Sequence, residues 1–162
     1  MWLRTGCDIT FDVSVETPFT LMLRPHSDLQ QWIARESYTL KPSSIHAVEY
    51  TDNYGNLCER LIAPAGEFAI RTSADILTAD EIDVAPATEQ GHASTHAWVE
   101  VYLPGTGWKG FDPTAGEVTS SKHIANAVAR NPEAVPPVAG SFLGSPSNKT
   151  TMHVDVKVSL LA

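Results

Sequence analysis

The sequence predicts a mainly β protein: an N-terminal β-sandwich-like domain, then the hairpin and sheet of a second unit, with one short helix. Three observations carry this. Apolar and polar residues alternate with a period of two along much of the chain. Clusters of Asp, Asn, Gly and Pro punctuate those runs, as turns require. Only residues 121–130 combine helical spacing with both a start and a stop signal. The chain has 162 residues, 43% apolar and 19% charged. That composition folds, and it suffices for one domain or two small ones.

Along residues 6–16, Ile9, Phe11, Val13 and Val15 alternate with Asp8, Thr10, Asp12 and Ser14, which places one face on a core and the other in water. Residues 19–23 form a short apolar run ended by Arg24-Pro25. Residues 31–40 are mixed and read as a weaker strand. Residues 47–50 and 57–63 flank Thr51-Asp52-Asn53-Tyr54-Gly55-Asn56, a turn-forming stretch that makes them a hairpin. Residues 67–72 add one more strand, so residues 1–72 read as an all-β domain. Residues 73–95 change character. Asp75, Asp80, Glu81, Asp83 and Glu89 make them an acidic, solvated connection, with 82–84 as a short strand within it.

Residues 96–162 form the second unit. Val99, Val101 and Leu103 alternate with Trp98, Glu100 and Tyr102; Pro104-Gly105-Thr106-Gly107 turns the chain; residues 108–111 return as the partner strand, giving a hairpin over 96–111. Asp112-Pro113-Thr114 ends it. Ser120 or Ser121 as N-cap, Ile124 and Val128 one turn apart, and Asn131-Pro132 as a stop predict a helix over 121–130. Residues 132–151, rich in Pro, Gly and Ser, read as a long irregular loop. Val154, Val156, Val158 and Leu160 predict a final strand over 152–160.

Lys and Arg total 11 against 19 Asp and Glu, a formal net charge of -8. This balance argues against nucleic acid, whose backbone is bound by clustered basic residues, and against a polybasic membrane patch. No run approaches the about 18 consecutive apolar residues of a membrane-spanning helix, and residues 1–6 lack the apolar core of a secretory signal. The expectation is a cytoplasmic protein with no nucleic-acid or membrane partner. Two cysteines, Cys7 and Cys58, provide neither a disulfide framework nor a four-thiolate zinc site, and each reads as a small buried residue of a strand. His92 and His96 are four residues apart, but a Gly precedes them and a strand follows, so no metal and no cofactor are expected.

One pair carries chemistry. His96 opens a strand and Asp112 ends the next strand of the same hairpin, which can bring them to one end of a sheet. An Asp that accepts from one imidazole nitrogen fixes the tautomer and presents the other nitrogen as a base. The surrounding residues are more specific. His96-Ala97-Trp98-Val99-Glu100-Val101-Tyr102-Leu103-Pro104-Gly105, Gly107-Trp108 and Phe111-Asp112-Pro113-Thr114 resemble the His and Asp block of bacterial transglutaminase-like proteins, in the papain-like cysteine hydrolase and acyltransferase superfamily. Pro18 to Pro25, Glu49-Tyr50-Thr51-Asp52, Gly55-Asn56-Leu57-Cys58 and the tail from His123 through Val135-Pro136-Pro137-Val138 fit the same pattern.

The resemblance implies that His96 is the catalytic base and Asp112 its orienting acid. The family's nucleophile is a Cys at a helix start, N-terminal to the His, where the helix dipole favours the thiolate. Here residues 73–95 contain no Cys, and none follows His96, so the helical lobe with its nucleophile is absent. Cys58 is the likelier substitute, but it lies on a strand; Cys7 is no better placed, and Ser94 and Thr95 beside His96 are weaker still. The expectation is a truncated transglutaminase-like protein, inactive alone, that self-associates to cover the surface bared by the missing lobe. Two alternatives stand beside it. One is an active cysteine acyltransferase or peptidase, completed in trans or by Cys58, acting on a peptide or protein amide. The other is a non-catalytic peptide- or protein-binding β module.

Overall fold

The alternating segments pair into antiparallel sheets, and the protein is mainly β. The computed structural model describes residues 1–27, 31–78, 97–121, 123–145 and 148–161. Its strands are β1 (Trp2–Val13), β2 (Thr17–Leu21), β3 (Gln31–Lys41), β4 (Val48–Thr51), β5 (Leu57–Ala63), β6 (Gly66–Thr78), β7 (Val99–Leu103), β8 (Gly107–Asp112), β9 (Glu117–Val118), β10 (Val138–Gly140) and β11 (Thr150–Leu160). One sheet has the order β11-β1-β6-β3, a second β10-β2-β5-β4, and a third β7-β8-β9.

The first two sheets enclose the core. Odd residues of β1 (Ile9, Phe11, Val13) and even residues of β6 (Phe68, Ile70) meet Phe19 and Leu21 of β2 and Leu61 and Ala63 of β5. Phe11 stacks on its register partner Phe68 with centroids 4.6 Å apart, and Phe19 closes the cluster at 5.1 and 5.2 Å. Losing one such buried ring costs about 3–5 kcal/mol.

Three features depart from the sequence-based expectation. β6 runs on to Thr78, because Thr72, Ala74, Ile76 and Thr78 continue the buried alternation; Asp75 on its outer side pairs with Arg4 at 2.7 Å. The final strand, expected to close the second unit, instead pairs with β1 along its whole length, and the unexpected β10 pairs with β2. The tail therefore completes the first two sheets. The short strand expected at 82–84 lies outside the described residues.

The helix expected over residues 121–130 does not form; the helical structure among the described residues is a single 3-10 turn, Pro132–Ala134. Distant buried carboxamides hold the backbone groups a helix would use. Gln31 Oε1 accepts from the Ala125 N–H at 3.1 Å and Gln31 Nε2 donates to the Ala125 carbonyl at 2.7 Å. Asn56 does the same to Val128, accepting at 2.8 Å and donating at 2.7 Å. The His26 N–H adds a second bond to the Ala125 carbonyl at 2.8 Å. Satisfied this way, the segment is an extended strap on the first two sheets.

Candidate active site around Asp112

The hairpin of β7 and β8 places Asp112 at the end of a strand. Val99 faces Phe111 and Leu103 faces Gly107 across the ladder, and Gly105 and Gly107 take the positive φ of 90° and 81° that the turn demands. Asp112 is 2% exposed. Its Oδ1 accepts from the Thr114 and Ala115 N–H groups at 2.8 and 3.1 Å, and its carbonyl accepts from the Gly116 N–H at 2.8 Å. Pro113 supplies the fixed φ that starts this turn. The chain returns as β9, and the Thr119 N–H donates to the Gly110 carbonyl at 2.9 Å. The approach is close: a Cβ on Gly110 would lie 2.1 Å from Thr119 Oγ1.

Beyond β9, His123 meets Asp112. His123 Nε2 lies 3.1 Å from Asp112 Oδ2. The Ser120 N–H donates to His123 Nδ1 at 3.2 Å, so the ring is in the Nε2–H tautomer and Nε2 donates to the carboxylate. Both ring nitrogens are thus engaged, and His123 presents neither as a base. Trp98 packs edge-on against it, with centroids 5.4 Å apart.

Of the sequence-derived site residues, Asp112 is described and stands where the hairpin argument puts it. His96 lies outside the described residues, as does His92. His123 is not among the site residues the sequence points to, although it begins the tail that resembles the family; its signal is that it opens the segment following the Asp112 turn.

Burial disfavours the thiolate form of both cysteines. Cys58 is fully buried on β5, its Sγ donating to the Asn56 carbonyl at 3.5 Å, and burial pushes its pKa up. Burial, reinforced by Asp8 and Asp155, pushes the Cys7 thiol up to about 11. Thiolate formation at neutral pH needs the opposite shift.

One face of the third sheet carries the exposed apolar residues Val99, Val101, Leu103, Phe111 and Val118, with Lys109 among them opposite Val101. Strand alternation puts them on the side away from Asp112. Among the described residues, no group of three or more His, Cys, Asp or Glu side chains is placed to hold a metal, and no helix is long and apolar enough to cross a membrane.

Comparison with known proteins adds a distant likeness. No family model matches the chain, and no curated protein matches it. A solved structure named as a "putative cysteine protease" from Cytophaga hutchinsonii is 28% identical over 48% of this chain, with a TM-score of 0.45. The chain spans 27% of that protein's length.

Proposed function

We propose that this chain is a transglutaminase-like protein that retains the base and orienting acid of a Cys-His-Asp triad and lacks its own nucleophile. The observation that carries the reading is Asp112: a buried carboxylate at a strand end, cradled by two backbone N–H groups. That is the environment an orienting acid needs, because donors fix its position. His96 is the base in this reading, on the sequence resemblance. In a complete site a cysteine thiolate attacks the carbonyl carbon of a peptide or protein amide. His96 gives a proton to the leaving amine, Asp112 stabilises the imidazolium, and an amine or water resolves the acyl-enzyme. Without the attacker the covalent route is closed, and only small residual rates remain.

The exposed apolar residues on one face of β7, β8 and β9 support the same reading, since a sheet that has lost its covering lobe bares such side chains. They also support the non-catalytic alternative, in which the face docks a partner. Amide hydrolysis and amine incorporation into a glutamine peptide, measured for the parent and for His96→Ala, separate the incomplete site from an active cysteine enzyme. No turnover in either supports the incomplete site. Turnover by the parent that His96→Ala abolishes overturns it and restores an active cysteine enzyme.

A further inference from the structure

The outer strand β11 bounds one edge of the sheet β11-β1-β6-β3. It is 11 residues long, without Pro or Gly, and stays in register with β1 from Leu160 opposite Leu3 to Thr150 opposite Val13. The opposite edge, β3, has the same length but is interrupted by a bulge between Ile33 and Arg35, a device that blunts pairing. The edges of the second sheet, β4 and β10, have 4 and 3 residues. Among these edges β11 is the long regular one.

Its side chains are under-covered on both faces. The even residues follow Ile9 and Phe11 of β1 onto the core side, yet Met152, Val154 and Leu160 remain 56%, 39% and 54% exposed. On the outer side Asp155 stands directly opposite Asp8 of β1, a like-charge pairing that destabilises a sheet. Lys157, 77% exposed, reaches Asp155 at 2.7 Å along the same strand.

We infer that two copies of this chain pair antiparallel through β11, with Val156 on the two-fold axis. The strand is self-complementary in that register. Asp155 faces the partner's Lys157, Val154 faces the partner's Val158, and Met152 faces the partner's Leu160. Facing residues in an antiparallel pair share a side of the sheet, so the register can shift only so as to keep parity. Moving the axis to residue 155 sets Asp155 against itself, and moving it to 157 sets Lys157 against itself. Of these three registers, only the one centred on Val156 sets opposite charges face to face. Two four-stranded sheets then join into one, and the free edge disappears. This inference goes beyond the catalytic reading and does not depend on it.

Light scattering after size exclusion, at about 50 µM and moderate salt, tests it on the whole chain. The parent runs as a dimer. Lys157→Asp, which opposes two acids at each of the two symmetric pairs, weakens the dimer about tenfold or more. Asp155→Lys does the same, and the double exchange Asp155→Lys with Lys157→Asp restores parental affinity. Lys157 is exposed and Asp155 partly so, and circular dichroism should show a native fold in all three variants; the double exchange keeps the test valid if a single variant misfolds. A monomeric parent overturns the inference. So does a dimer indifferent to Lys157→Asp, which would place the interface elsewhere, on the open face of β7–β9 for example. A natively folded double variant that stays dissociated also overturns it.

Discussion

His123 and Asp112 are joined in a single orientation: Nε2–H points at the Asp112 carboxylate, 3.1 Å away, because Nδ1 accepts the Ser120 N–H. The pair ties the end of β8 to the strap that crosses the first two sheets. His123 therefore acts on the candidate site by position, fixing the Asp112 carboxylate and the chain around it.

Removing the imidazole should destabilise the fold. His123→Ala is expected to lose about 1.5–3 kcal/mol, the range for a hydrogen bond to a charged group. Asp112→Ala should lose more, since Thr114 and Ala115 lose their acceptor with it. Asp112→Asn should fall between, because its amide oxygen can still accept from both N–H groups. Urea denaturation of the three variants checks the order.

The strap rests on two carboxamides, and each can be removed alone. Asn56→Ala strips Val128 of both backbone partners, and Gln31→Ala does the same at Ala125 apart from the bond from His26. Each should cost about 2–3 kcal/mol, from lost hydrogen bonds and stranded peptide groups. Native-state proteolysis within residues 123–131 should speed up in both variants. Equal cleavage in parent and variants would show that these clamps do not hold the strap.

Those clamps also mark where the sequence stops being readable. Strands β1 and β11 are legible because apolar and polar residues alternate along them, and β5 because it follows a turn-forming stretch. β3 reads as weak because the bulge at Ala34 switches its inward residues from odd (Gln31, Ile33) to even (Tyr38, Leu40), destroying a single period. Ser120, Ile124, Val128 and Pro132 spell a helix locally, but Gln31 and Asn56 claim the backbone from far along the chain, a tertiary effect no local pattern contains. β10 hides in a Pro- and Gly-rich stretch because only three residues pair. Asp112 was legible from its hairpin; its bond to His123 depends on the turn and strand between them.

Both thiols should behave as ordinary or sluggish nucleophiles. Burial raises Cys7 to about 11 and raises Cys58 as well, so the thiolate fraction at pH 7 is below that of a free cysteine. Alkylation rate against pH should show no inflection below about 8.5, the free-thiol value, and His96→Ala should leave the profile unchanged. An inflection near neutrality that His96→Ala removes would reveal a hidden dyad.

The last prediction concerns Glu59, whose side chain is 5% exposed on the inner side of β5. Arg24 lies 3.5 Å from it, but that guanidinium is shared: it grips Glu36 with two bonds of 2.7 Å and also binds Glu49. Burial is the dominant influence and pushes the Glu59 carboxyl above its ordinary value of 4.5, against the opposing pull of Tyr38 and Arg24. A carboxyl raised in the folded state binds its proton more tightly there than in the unfolded chain. Its contribution to stability is therefore fully present below the unfolded value and is lost as pH rises through the folded one. Glu59→Gln keeps the shape and removes the charge, and Arg24 keeps Glu36 and Glu49. The variant should match the parent at about pH 4 and grow relatively more stable as pH rises above 4.5, reaching a plateau once Glu59 is fully ionised in the folded parent. Paired urea titrations across that range measure the difference, in which the other carboxyls largely cancel. If instead the parent gains on the variant as pH rises, the ion pair with Arg24 outweighs burial, and Glu59 is a stabilising anion.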